Sequence, residues 1–438
     1  MLIRYFITIF VIIVMFIITS FMFNIKLPSI RLRIKWLNIF MILIYAVNMM
    51  ILILDKQYLL IIPLIIGIGL INFAIKYLSN TKNYILWYTI IFLLLISQII
   101  LMRLDFYLAF KQLFFIILGI FLRFILLYTK FIWLNSKNET LSIVILSILI
   151  CSPFIFGVTK NGANNWVSIN NISFQPSEFV KIIYIYLIAL YFAKSDLIKP
   201  FILTAFVIGT LFIQRDLGSA FLYIGVFLIM IYVLTQNIRW VLIGLGCGSV
   251  LGIFSTFLFS HVKSRIIAWL NPWSDVDGMG YQLTQGMFAM GTWGVFGSGL
   301  NNGIPTKVPY VTTDYIFVAI VEELGLIVSI AVILSYLILG IVGINISIQQ
   351  KEYFSKYLTL GCTSIIVIQS FVILAGILQI IPLTGITLPF VSYGGSSLIS
   401  MFIMISILEI IDNDINEANS IEMFKEMLWK IKILKKFK

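Results

Sequence analysis

Apolar runs long enough to cross a lipid bilayer follow one another along nearly the whole chain. A helix needs about 20 such residues to traverse the hydrocarbon layer. Within that layer only helices or closed barrels can pair every backbone N–H and C=O. These runs are continuous and lack the two-residue alternation of barrel strands. The expected fold is therefore all-α, a polytopic integral membrane helical bundle. Composition agrees, with 61% hydrophobic and 11% charged residues, against about 25% charged in soluble domains.

Hydropathy windows and polar breaks predict about 13 spans. They lie at 4–24, 37–54, 57–75, 84–102, 106–128, 140–158, 176–194, 200–213, 216–234, 239–260, 314–345, 357–380 and 388–411. The segment 200–213 is short enough to be tilted or re-entrant. Residues 1–100 would form extra N-terminal helices, 101–411 a ten-span core, and 412–438 a basic tail. A long loop, 261–313, precedes the third-last span.

One set of alternate loops carries the lysines and arginines, among them Arg31, Arg33, Lys76, Lys82, Lys130, Lys194 and Lys351. The positive-inside rule makes that side cytoplasmic, with the lysine-rich C-terminus, and puts the 261–313 loop outside. The net charge of +12 then follows from this bias and from attraction to anionic lipid, and calls for no nucleic acid. The tail from Ile421 to Lys438 has the pattern of a helix lying on the inner surface or docking a partner. The first apolar segment lacks a small-residue cleavage site and reads as a retained helix.

Cys151, Cys247 and Cys362 fall in or near predicted spans without metal or disulfide spacing. A single histidine, His261, argues against a histidine metal site or a Ser-His-Asp triad. There is no Walker loop, and no nucleotide or organic cofactor is expected.

Four polar islands fall on the predicted outer side. The first, NGANNWVSINNISFQPSEFVK (161–181), places Pro176 at a helix start, Glu178 in the first turn and Lys181 on the same face. That reads as a capped helix with an ion pair, or as charge facing a cavity, because Lys181 already lies within an apolar run. The second, QRDLGS (214–219), offers Asp216 as an N-cap and Arg215 as a local partner or phosphate ligand. The third, 261–313, contains RIIAWLNPWSDVDGMGYQ (265–282), with Asp275 and Asp277 among aromatics, and then a glycine-dense run that favours tight turns over a regular helix. It leads into Asp314, Glu322 and Glu323, of which at least one should line a cavity. The fourth, PLTGITLPFVSYGGSS (382–397), looks like broken or re-entrant backbone. Together they describe a polar cavity at the outer membrane surface, suited to a lipid-linked anionic substrate.

Five motifs in order carry a family resemblance: FQPSEFVK (174–181), QRDLGSA (214–220), RIIAWLNPWSDVDGMGYQLTQ (265–285), TDYIFVAIVEELG (313–325) and LPFVSYGGSSL (388–398). On these, the sequence resembles the SEDS family, the RodA/FtsW-type proteins of bacterial cell-wall synthesis, over roughly residues 100–411. The resemblance implies a peptidoglycan glycosyltransferase of the cell membrane. Such enzymes polymerise lipid II, a disaccharide-pentapeptide on undecaprenyl diphosphate, beside a class B penicillin-binding protein transpeptidase. It implies Asp275 as the catalytic carboxylate, and Glu178 and Lys181 as the family's QPSE pair. Asp275 would be the base for the incoming hydroxyl, or would hold a divalent cation (Mg or Mn) beside the diphosphate. Expected substrate-binding residues are Glu178, Lys181, Arg265, Gln282, Ser392 and Ser396; expected cavity carboxylates are Asp216, Asp314, Glu322 and Glu323.

The chain departs from the family pattern at Asn165, Ile373 and Ala375, where polar or cationic groups, or glycine, are common. Two rival readings stay open: a lipid II flippase, which would be expected to show inverted repeats and polar groups at mid-membrane, and a non-catalytic scaffold for a transpeptidase. Elongation, division and sporulation are equally compatible roles.

Overall fold

The computed structural model describes residues 41–43, 45–46, 84–136, 138–160, 162–169 and 172–413. Among these, nine helices are long and apolar enough to cross a membrane. They are α1 (Tyr84–Leu104), α2 (Phe106–Ser136), α3 (Glu139–Phe156), α4 (Pro176–Ala193), α6 (Leu217–Thr235), α7 (Ile238–Leu258), α10 (from Ile316 to Gln349), α11 (Tyr353–Ile377) and α12 (Gly395–Asn413). A shorter apolar helix, α5, runs Ile198–Ile213. These ten match the predicted spans from 84 onward. The predicted spans 4–24, 37–54 and 57–75 and the tail helix at 421–438 lie wholly or almost wholly outside the described residues.

Helix boundaries follow from local chemistry. Pro176 starts α4, where its missing N–H costs nothing. Asp216 caps α6 through Ser219 N (3.0 Å), and Asn237 caps α7 through Arg239 N (3.0 Å). In the core, α10 packs on α11, and α11 on α4 and α6. By contrast α1 is enclosed over nearly its whole length, while α7 is almost wholly exposed and touches mainly α6. An exposed helix that is apolar all round needs lipid around it.

The described residues are mostly helical, as expected, and three details differ. A small three-stranded antiparallel sheet lies between α3 and α4: β1 (Gly157–Lys160), β2 (Ala163–Ile169) and β3 (Ile172–Phe174). Lys160 pairs with Ala163 around Asn161-Gly162, a two-residue hairpin signal, with Gly162 at φ +85°. The glycine-dense run is not all turns, because α9 (Tyr281–Thr292) is a regular helix within it. Finally, the last span begins at Gly395 rather than 388, and irregular backbone occupies 378–394.

All four polar islands meet at one end of the bundle. There α8 (Ser260–Leu270) is fastened to the irregular segment: Trp269 Nε1 donates to Gln379 O (2.8 Å) and Arg265 Nη1 to Thr384 O (3.2 Å).

Candidate functional site

Asp275 closes a short 3-10 turn, Pro272–Asp275, that follows α8. Met279 N donates to its Oδ2 (2.9 Å), and Gly280 N donates to its carbonyl (2.9 Å). The glycines on either side of Met279 differ in what they accommodate, the Asp275 side chain at Gly278 and the backbone at Gly280. A Cβ on Gly278 would lie 2.3 Å from Asp275 Oδ2, and one on Gly280 would lie 2.0 Å from Pro272 O. The turn therefore holds the carboxylate with one anchored oxygen while leaving the residue exposed. Among the described residues Asp275 makes no ion pair. Asp277, two residues on, is also exposed.

Arg265 and Asp314 flank a gap at Gly385. A Cβ on Gly385, at φ +72°, would stand 3.2 Å from Arg265 Nη2 and 3.6 Å from Asp314 Oδ2. Burial raises the Asp314 pKa to about 6, and the positive charge of Arg265 opposes that rise. Gln282 Nε2 reaches Pro309 O (3.3 Å), and the half-buried Ser396 makes no side-chain hydrogen bond to a described residue.

The remaining candidates are enclosed by protein. Lys181 is 1% exposed and donates to Glu178 Oε1 (2.8 Å) and Gln369 Oε1 (2.9 Å). Ser400 Oγ donates to Glu178 Oε2 (3.0 Å), while Gln369 Nε2 donates to Thr387 O (2.9 Å). The pair thus ties α4, α11, α12 and the irregular segment into one buried network. Asp216 is saturated rather than open to a cavity: it accepts from Asn165 Nδ2 (2.6 Å), Gln175 Nε2 (3.0 Å), Ser219 Oγ (2.8 Å) and Ser219 N. Ser392 Oγ is likewise occupied, donating to Thr313 O (2.5 Å) and accepting from Leu388 N (2.9 Å).

Glu322 and Glu323 hold a loop. They sit on a π turn, Ile320–Leu324, whose freed carbonyls accept from Ser298 N (2.8 Å) and Gly299 N (2.9 Å). Glu322 Oε1 accepts from Ile304 N (2.8 Å), and Glu323 Oε1 pairs with Arg103 Nε (3.0 Å), whose Nη2 donates to Gly303 O. Both carboxylates therefore pin residues 298–304 against α10.

Exposure separates two groups. Asp275, Arg265, Asp314, Gln282 and Ser396 are reachable at the loop-bearing end, whereas Glu178, Lys181, Asp216, Ser392, Glu322 and Glu323 are interior. Sequence reasoning missed Gln369, Ser400 and Gln112. Gln112 is 0% exposed, and its Nε2 donates to Ser392 O (3.0 Å) while its Oε1 accepts from Gly394 N (3.4 Å). The available signal was a lone polar residue within an apolar run. Among the described residues no group of three or more His, Cys, Asp or Glu could hold a metal ion.

The cell cycle protein family FtsW/RodA/SpoVE matches residues 96–417. The peptidoglycan glycosyltransferase RodA of Mycobacterium tuberculosis is 38% identical over 270 residues, 57% of this chain and 57% of that relative. The chain therefore spans just over half the length of that relative. Stage V sporulation protein E of Bacillus subtilis is 32% identical over 321 residues, 69% of this chain and 86% of that one. Among solved structures, a chain of a peptidoglycan synthase complex described as coordinating polymerization and crosslinking superposes with TM-score 0.63 at 23% identity, covering 75% of this chain and 97% of that one. The rod shape determining protein RodA of Thermus thermophilus gives 0.58 at 23% identity, covering 75% and 96%.

Proposed function

The chain belongs to the FtsW/RodA/SpoVE family of multi-pass membrane proteins, and from that premise we propose that it is a peptidoglycan glycosyltransferase that polymerises lipid II. The observation that carries the assignment is Asp275, exposed on a turn that anchors one carboxylate oxygen through Met279 N and leaves room for the carboxylate at Gly278. The loop-bearing end faces outward, as the positive-inside rule requires, so the site meets substrate at the outer head-group level. A class B penicillin-binding protein cross-links the product strands.

In this reaction the acceptor sugar's 4-hydroxyl oxygen bonds to the donor's anomeric carbon, whose bond to the diphosphate oxygen breaks. The hydroxyl proton passes to Asp275, and the electron pair leaves with the lipid diphosphate. Arg265, half-buried beside Gly385, offsets the charge that develops there. In the alternative role Asp275 would be the one protein carboxylate for a divalent cation, which would help neutralise the diphosphate, as magnesium sites commonly combine one or two carboxylates with substrate phosphates. The buried Glu178–Lys181 network acts at a distance, by fixing α4 against α11 and α12.

Gly278→Ala should impair polymerisation by displacing the Asp275 carboxylate, with the unfolding midpoint unchanged because Gly278 is exposed. Polymer yield and thermal unfolding of the purified variant check both halves. Asp314 supplies a pH test. Its raised pKa means that the ionised form, the counter-charge to Arg265, predominates only above about 6. Wild-type rates should fall as pH drops through that value, and Asp314→Asn should lack the step.

Incubating the purified full chain with lipid II, with and without a transpeptidase, tests the assignment against its rivals. Glycan strands support the enzyme. Translocated but unpolymerised lipid II would identify a flippase, and neither product would leave a scaffold.

A further inference from the structure

An exposed arginine and the single histidine of the sequence meet at the start of α8, one helical turn before Arg265. Three elements meet there: the tip of the β1–β2 hairpin, the turn between α5 and α6, and the junction of α7 with α8. Arg215 is exposed, in a left-handed conformation (φ 61°), with its guanidinium 5.6 Å from the centre of the Phe259 ring. His261 stacks on the same ring, with centroids 5.9 Å apart and planes at 27°. Gly162 closes the hairpin tip onto the imidazole; a Cβ there would stand 3.0 Å from His261 Cγ. Phe259 is thus an apolar platform that holds two nitrogen-rich side chains at the membrane edge.

These groups have no anion. Asp216, next in sequence, is consumed by Asn165, Gln175 and Ser219. Among the described residues, Arg215 and Arg265 form no ion pair. His261 and Arg265 are four apart on α8 and so share a helix face. Burial first, then the charges of Arg265 and Arg215, keep His261 below the usual histidine pKa.

We propose that Arg215 and His261 form a phosphate-binding subsite for a lipid-borne phosphate or diphosphate, separate from the Arg265–Asp314 gap. The inference rests on the polymerase reading in one respect: joining two lipid-linked sugars brings two diphosphates to one site, and only the donor's departs. Arg265 faces the departing one, and the Arg215–His261 pair holds the diphosphate that stays with the acceptor. Guanidinium suits this task, because it grips phosphate oxygens in a planar fork and stays charged at any working pH.

The test measures binding, not turnover, so it stands whether or not polymerisation is observed. The full chain is placed in phosphatidylcholine nanodiscs and titrated in separate arms with undecaprenyl diphosphate and phosphatidylglycerol. Arg215→Gln should raise the dissociation constant for undecaprenyl diphosphate about tenfold, the loss of a charge-assisted contact, and Arg215→Lys should recover part of it. A loss confined to phosphatidylglycerol would keep the phosphate site and make its occupant a membrane lipid. Affinities for both lipids unchanged in Arg215→Gln and in Arg215→Glu would overturn the proposal. Arg215 is exposed, so these variants test the site even if His261→Gln disturbs the hairpin. Absent polymerisation together with intact, Arg215-dependent diphosphate binding would count against the enzymatic reading alone.

Discussion

Asp275→Ala is expected to lower lipid II polymerisation at least about a hundredfold, the lower range for removing a positioned general base. The variant should still insert and unfold at the wild-type temperature. Asp275 is exposed, and its side chain receives one backbone donor, Met279 N. The turn retains its main-chain bonds from Gly278 N and Gly280 N to the Asp275 carbonyl when the carboxylate is gone. Asp277→Ala is the matched control: it removes another exposed carboxylate two residues away. Its rate should stay close to wild type. Equal losses in the two variants would mean that the loop needs negative charge in general rather than a base at one position.

Lys181→Met should do the opposite, acting on the fold first. Removing the ammonium leaves Glu178 buried with Ser400 as its remaining side-chain donor, and Gln369 Oε1 without its donor. Breaking one side of a buried ion pair costs about 3–5 kcal/mol. The thermal unfolding midpoint of the purified variant should therefore drop clearly. Adding Glu178→Gln should restore much of it, because a pair replaced by neutral groups leaves no stranded charge. If Lys181→Met kept full stability but lost activity, Lys181 would have to contact substrate directly, and the purely interior role would be wrong.

The membrane architecture was legible because hydropathy is a local property. Each span from Tyr84 onward is a continuous apolar stretch, and Pro176 and Asp216 mark helix starts in the sequence itself. The sheet at 157–174 was not legible in the same way. Its strands are short and polar, and only Asn161-Gly162 signals the hairpin. Asp275 and Asp277 stand out together as carboxylates among glycines and aromatics in so apolar a chain, and only the family resemblance singles out Asp275. What each charge meets could not be read, since partners come from distant segments. Arg103 reaches Glu323 across 220 positions, and Ser400 reaches Glu178 across 222. Glu322 and Glu323 were expected to line a cavity because buried carboxylates must be wet or paired. Pairing, with Arg103 and the folded-back loop, is what the tertiary structure supplies. Asn165, read as the loss of a cation, instead holds Asp216 in place at 2.6 Å.

The buried Arg123–Glu409 pair shows the same limit. Its two hydrogen bonds, 2.7 Å and 2.5 Å, clamp α2 to α12 beneath the Trp87 ring. Neither residue belongs to a recognisable motif, and it contributes to the scaffold rather than to the reactive end.

The central claim is that Asp275 performs glycosyl transfer at the loop-bearing, outward face. The most direct measurement places labelled lipid II in one leaflet of proteoliposomes holding the full chain in a known orientation. Glycan strands should form when substrate lies in the leaflet beside the 261–313 loop, and not in Asp275→Asn under the same conditions. Strands formed equally well by Asp275→Asn, or only from the opposite leaflet, would contradict the account.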